Sequence, residues 1–164
     1  MARNESDRED LMVEAVALVR RVEFAAPEWD EPVVCGFRRD GSFSVYAGQD
    51  PVFHFDAERR LRRAFRNGKL YRTQGDTLAE MTRVRGETTT ALVRHDLPPA
   101  LLAEFLADAR ATLQSVRAAI AEGRATVARR VPEGDVRLSA DVGNVLDRIL
   151  SAPPALAPAI AGKR

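Results

Sequence analysis

The sequence predicts an α+β protein, in which an antiparallel sheet of about six to seven strands is flanked by helices. Between residues 33 and 95, short segments rich in apolar residues follow one another, separated by turn pairs such as Asp40-Gly41 and Asn67-Gly68. Connections this short join only antiparallel neighbours, so the strands are expected to form a meander. On either side of this region apolar residues recur every three to four positions, as in amphipathic helices.

Seven segments are predicted as strands: 33–39, 42–48, 52–56, 61–66, 69–74, 77–85 and 88–95. Further turns are predicted at Gly75-Asp76 and Gly86-Glu87. Side chains alternate between the two faces of a strand. In the segment 61–66 this alternation places Leu61 and Phe65 inward, and Arg62 and Arg66 outward.

Three helices are predicted around the sheet. Ser6 and Glu9 have the spacing of a capping box, and an apolar stripe from Leu11 to Val22 follows. After the sheet, Pro98-Pro99 opens a long helix, which either ends at Gly123 or continues to Pro132. A short C-terminal helix follows Ser139. If the long helix continues, its overhang beyond the sheet favours a homodimer formed through the helices.

Length and composition favour one soluble domain over residues 1–150, with a flexible Ala/Pro-rich tail over 151–164. No apolar run approaches the roughly 20 residues that cross a bilayer. The N-terminus is polar and acidic, unlike a secretory signal or a transit peptide. Cys35 is the single cysteine, so an internal disulfide and a cysteine-based zinc site are excluded. The expectation is a cytoplasmic protein without membrane association.

Charge is unevenly distributed, although the net charge is only +1. Residues 1–32 carry four basic and nine acidic side chains, whereas residues 33–95 carry twelve basic and seven acidic ones. The segment from Glu58 to Arg72 is the most arginine-rich part of this basic region. A basic sheet surface suits phosphate groups. The predicted nucleic-acid-binding residues are Arg62, Arg66, Lys69, Tyr71, Arg72, Arg38, Arg83 and Arg85.

A competing interpretation treats the same arginines as the solvated face of a β-hairpin, with Asp56, Glu58 and Glu80 as their partners. The segment from Phe53 to Arg72 also resembles one YD-type β-hairpin repeat of large bacterial toxin-shell proteins. The resemblance rests on Phe53, Phe55 and Asp56, on the Arg-Leu pair that follows and on the Asn-Gly turn. It occurs once, and Arg59 replaces the usual glycine. It implies a structural hairpin and no activity.

The third hypothesis is that a pocket in the sheet catalyses a reaction of a small molecule. His54 and Asp56 lie two residues apart on one strand, so they are expected on the same face as an acid–base pair. A dyad of Cys35 with a histidine is a further arrangement. No spacing in the sequence indicates a metal or cofactor site, and no catalytic residue is assigned.

The sequence therefore predicts a non-enzymatic accessory protein that contacts nucleic acid through an arginine-rich sheet surface. The first alternative is a protein-interaction or homodimeric scaffold module without a polyanion ligand. The second is a small-molecule enzyme that uses His54 and Asp56.

Overall fold

The structure, a computed structural model, describes residues 17–48, 50–74, 77–85 and 90–151. Nine strands and two helices lie in these ranges, and they confirm the α+β class and the antiparallel sheet. The strands are β1 (Arg20–Ala25), β2 (Val33–Phe37), β3 (Phe43–Ala47), β4 (Val52–Phe55), β5 (Leu61–Arg66), β6 (Lys69–Gln74), β7 (Thr77–Arg85), β8 (Thr90–Asp96) and β9 (Thr126–Val131). The helices are α1 (Pro99–Ala121) and α2 (Leu138–Ser151).

The sheet is a meander that is extended at one end by a distant strand. Each strand from β1 to β8 pairs antiparallel with the next one along the chain. β9 pairs antiparallel with β1, which gives the order β8-β7-β6-β5-β4-β3-β2-β1-β9. The predicted count of six to seven strands was wrong, because β1 and β9 add to the seven segments between residues 33 and 96.

Both additional strands occupy sequence that was predicted to be helical or loop. Residues up to 16 of the predicted N-terminal helix lie outside the described residues. The last residues of that predicted helix are not helical. Val22 lies in β1 and is fully buried, and the following residues alternate between buried and partly exposed as they do in a strand. The long helix likewise does not continue to Pro132, because residues 126–131 form β9.

Gly123 explains where the long helix ends. Its φ is +76°, a left-handed conformation that glycine adopts without the penalty of a Cβ atom. The backbone N–H groups of Arg124 and Ala125 both donate to the carbonyl of Ala119, which satisfies that helix-terminal carbonyl. Proline stands in the first turn at the other end, as predicted.

One face of the sheet, called here the first face, packs against both helices. α1 contacts β7, α2 contacts β1, and the two helices contact each other. Arginines join these elements: Arg117 of α1 forms a bidentate ion pair with Asp147 of α2, and Arg20 of β1 bonds to Asp135 and to Asp141 of α2. The buried core between the sheet and the helices includes Phe24, Cys35, Phe43, Val45, Phe53, Phe55, Phe105, Leu113, Leu138 and Leu146.

Turn chemistry fixes the hairpin that resembles a YD-type repeat. Asn67 and Gly68 both have positive φ, as the tight turn between β5 and β6 requires. Arg59, at the position where the repeat has glycine, also has a positive φ of 67°. Its side chain donates to the carbonyl of Gly41 at 2.8 Å and lies over the ring of Phe37. These contacts offset the steric cost of a non-glycine residue there.

The predicted turns at Gly75-Asp76 and Gly86-Glu87, and residues 152–164 of the predicted tail, lie outside the described residues. None of the helices in the described part of the chain is both long and apolar enough to cross a membrane.

Candidate functional site

The arginines of the predicted hairpin are held mainly by acidic side chains. Asp56 Oδ1 accepts the backbone N–H groups of Glu58 and Arg60, which closes the turn between β4 and β5. Asp56 Oδ2 lies 2.8 Å from Nε of Arg62. Burial alone would raise the pKa of Asp56, but these hydrogen bonds and the neighbouring arginine charges lower it overall. Arg62 is therefore part of the turn.

Arg66 and Tyr71 lie on the helix side of the sheet. Arg66 donates to Asp108 of α1 at 2.8 Å, and its guanidinium lies 4.6 Å from the centre of the Phe105 ring. Tyr71 packs on the same ring, with centroids 5.1 Å apart. The predicted outward direction of Arg66 was wrong. These two side chains anchor α1 to the sheet.

A β-bulge is the physical cause of this reversal. Phe55 pairs with Leu61, but His54 pairs with Arg63, so Arg62 is an extra residue in β5. Leu61 therefore faces the helices, whereas Phe65 is buried on the opposite face. Simple alternation across the bulge had assigned both residues to one side.

The remaining predicted residues lie at different places. Lys69 Nζ is 3.8 Å from a carboxylate oxygen of Glu80, and Arg72 is exposed in β6. Arg38 follows β2 and lies close enough to His54 for its charge to lower the pKa of that imidazole. Arg83 and Arg85 belong to β7, and their side chains lie outside the described part of the structure. The structure thus does not gather the eight predicted residues on one surface.

The opposite side of the sheet, called here the second face, carries a different arrangement. Residues that stand directly opposite one another on neighbouring strands point to the same face. One such line runs across six strands and is called here the polar row: Arg21, Gly36, Ser44, His54, Arg63 and Arg72. Beside it, Leu18, Tyr46, Val52 and Phe65 form a small buried apolar cluster.

A buried Ser–His pair lies at the centre of the polar row. Ser44 Oγ and His54 Nδ1 are 2.6 Å apart, and the two residues are 1% and 9% exposed. Burial lowers the pKa of His54 to about 3, and the charges of Arg63 and Arg38 contribute to this shift. His54 is therefore a neutral imidazole at physiological pH, with basic side chains beside it.

The structure does not form the acid–base pair that the sequence suggested. His54 points into the second face and contacts Ser44, whereas Asp56 is engaged in the turn. Cys35 is fully buried on the first face, where burial raises its pKa to about 12. The sheet therefore separates this thiol from His54. Within the described ranges, no three His, Cys, Asp or Glu side chains cluster so as to hold a metal ion.

Sequence reasoning missed three side chains of the polar row: Arg21, Ser44 and Arg63. Arg63 had been placed on the inner side together with Leu61, because the bulge leaves no local signal in the sequence. Comparison of the chain with protein-family models, with curated proteins and with solved structures finds no match in any of the three. Function is therefore argued from the site alone.

Proposed function

We propose that the protein is a non-enzymatic accessory protein that binds the phosphate backbone of nucleic acid through the second face. The main support is the end of the polar row, where Arg63 stands directly opposite Arg72 on the neighbouring strand. Two neighbouring guanidinium groups concentrate positive charge at this point of the sheet, which attracts the phosphate groups of a polyanion. Arg38 near His54, and Arg21 at the other end of the row, extend the positive surface.

The aromatic residues favour backbone contacts over base stacking. Tyr46 is 4% exposed, and Tyr71 is packed on Phe105, so neither ring offers the free face on which single-stranded binders stack bases. We therefore expect binding with little preference for base sequence and with a steep dependence on salt.

The experiment is fluorescence polarisation with labelled single-stranded and duplex DNA and RNA. Affinity is expected to fall by at least tenfold between about 50 and 200 mM salt. The double variant Arg63→Ala/Arg72→Ala should weaken binding and lower the slope of log K against log salt by about 1.5. Absence of binding at low salt, or unchanged binding by this variant, would overturn the proposal.

A matched control removes the same charge elsewhere. The double variant Arg129→Ala/Arg130→Ala takes two arginines from β9, at one end of the sheet and five strands away from β5. Binding that depends on the Arg63–Arg72 pair should be kept in this variant. Equal weakening in both would indicate attraction to total charge rather than to the polar row.

The two alternatives have less support. The helix overhang that favoured a homodimer is absent, because α1 ends at Ala121 and buries its apolar stripe against the sheet and α2. The enzyme hypothesis loses its acid–base pair, because Asp56 closes a turn while His54 bonds to Ser44.

A further inference from the structure

Strand β9 forms one end of the sheet. Among the described strands its neighbour is β1, so its other side presents a row of backbone N–H and C=O groups. The side chains of residues 126–129 are all exposed, and no proline interrupts the strand. An edge of this kind is a template for an additional strand.

The space beside this edge is a groove of about 660 Å³. It is lined by residues 127–131 and by Glu133 and Gly134 of the following loop. Val127, which lines this groove, is 37% exposed. The edge thus offers apolar contacts as well as backbone hydrogen bonds.

Charge at the edge is positive. Within the described residues, Arg129, Arg130 and Arg137 form no ion pair. Of the nearby carboxylates, Asp135 is bonded to Arg20, Glu133 lines the groove, and Glu23 of β1 stands directly opposite Arg129. The three arginines outnumber the two carboxylates that remain. Consecutive strand residues point to opposite faces, so Arg129 and Arg130 present positive charge on both sides of the strand.

These arginines argue against a second copy of the chain as the occupant. In the antiparallel register that pairs all six residues of β9 with a second β9, Ala128 stands opposite Arg129 of the other copy. Arg129 is then a diagonal neighbour of Arg130 from the other copy on the same face, within reach of long side chains. Four arginines at the centre of such a pair would repel one another.

We propose that β9 binds an extended acidic segment of another protein, which adds to the sheet as a tenth strand. Backbone hydrogen bonds along the edge hold the segment. Two carboxylates at its centre pair with Arg129 and Arg130, and a flanking apolar side chain contacts Val127. This site lies five strands away from the Arg63 strand and does not depend on nucleic-acid binding.

The test uses a fluorescein-labelled hexapeptide of sequence TVEEVT, with its two glutamates placed to meet the arginine pair. Polarisation should detect binding to the full chain, and the peptide TVKKVT should not bind. Charge reversal, Arg129→Glu/Arg130→Glu, is expected to weaken binding at least tenfold, a loss of about 1.4 kcal/mol or more. The variant Arg129→Lys/Arg130→Lys keeps the charge and should retain binding. That result would show that the edge still folds when both arginines are replaced.

Strand addition is distinguished from simple charge attraction by the peptide backbone. TVEEVT N-methylated at alternate residues keeps both carboxylates but loses hydrogen-bond donors on one edge, so one of the two methylation patterns should abolish binding and the other should retain it. The variant Arg63→Ala/Arg72→Ala should bind the peptide as the wild type does. Absence of binding by TVEEVT, equal binding of both methylated peptides, or loss of binding in Arg63→Ala/Arg72→Ala would overturn the proposal.

Discussion

The two faces of the sheet are built from the same strands but have different chemistry. The first face is apolar from β1 to β5 and is covered by α1 and α2, which makes it the main core. The second face carries a smaller cluster around Phe65 beside a polar row with a buried Ser44–His54 pair. The difference teaches that alternation along the strands concentrates the apolar packing on one face, whereas the other face holds a buried hydrogen-bonded pair and the Arg63–Arg72 pair.

The largest expected effect on the free energy of unfolding comes from replacing a buried phenylalanine, and one such residue can be compared on each face. Phe53→Ala leaves a cavity in the main core, where this residue is fully buried, and should lower the free energy of unfolding by about 3–5 kcal/mol. Phe65→Ala, in the smaller cluster, should lie at or below the lower end of that range. Urea denaturation of both variants measures this order. A larger loss for Phe65→Ala would contradict the assignment of the main core to the first face.

Gly36 tests how tightly the second face is packed. A Cβ atom there would lie 2.6 Å from the carbonyl oxygen of Arg20 and 2.9 Å from Leu18 Cδ1. Because a backbone atom must move, Gly36→Ala should lower the free energy of unfolding by about 1–3 kcal/mol. Gly143→Ala in α2 is the matched control, since its Cβ would make an ordinary 3.5 Å contact with Arg117. Equal midpoints for wild type and Gly36→Ala in thermal melts would show that this contact is loose.

His54 should make stability depend on pH. Its folded-state pKa of about 3 lies below the ordinary value of 6.5, so the unfolded chain binds more protons between these values. The contribution is complete above pH 6.5 and is lost as the pH falls towards 3. Between pH 7 and pH 5 the free energy of unfolding should fall by about 2 kcal/mol.

The variant His54→Gln isolates this effect, because it keeps a neutral hydrogen-bonding side chain beside Ser44. Urea denaturation at the two pH values should give a smaller difference for His54→Gln than for the wild type. An equal pH dependence in both proteins would assign it to another group.

The smallest expected difference in stability is between variants of two arginines of β5. Arg66→Ala removes an ion pair with Asp108 and a contact with the Phe105 ring, and should cost about 1 kcal/mol. The Arg62 side chain is more exposed than that of Arg66, and Asp56 keeps its hydrogen bonds to the turn and to Arg60 without it, so Arg62→Ala should cost less than about 0.5 kcal/mol. Thermal melts of the two variants give the comparison. The reverse order would place Arg66 outside the contact with the helix.

Sequence reasoning found the elements whose signals are local. The segments that became β2 to β8 are bounded by turn residues such as Asn67-Gly68, and the stripe of α1 repeats within its own helix. β9 was missed because residues 126–131 contain alanine and arginine, which also suit a helix. Its strand conformation comes from pairing with β1, a partner more than 100 residues earlier in the chain.

The candidate site depended on a feature that has no sequence signature. Alternation predicted correctly that Leu61 and Phe65 are buried. Because of the bulge at Arg62, however, the two residues lie on opposite faces of the sheet, and Arg63 and Arg66 lie on the faces opposite to those predicted. The partner of His54 is Ser44 on β3, which only the register of the two strands brings together.

The pairing of β1 with β9 has a consequence for synthesis of the chain. β1 leaves the ribosome before the strand that covers its outer edge, which ends at Val131, about 105 residues later. At translation rates of about 5–20 residues per second, this edge waits about 5–20 s for its partner. A nascent chain halted after α1 would present β1 as a bare edge, the form in which this protein is most exposed to aggregation and to capture by chaperones.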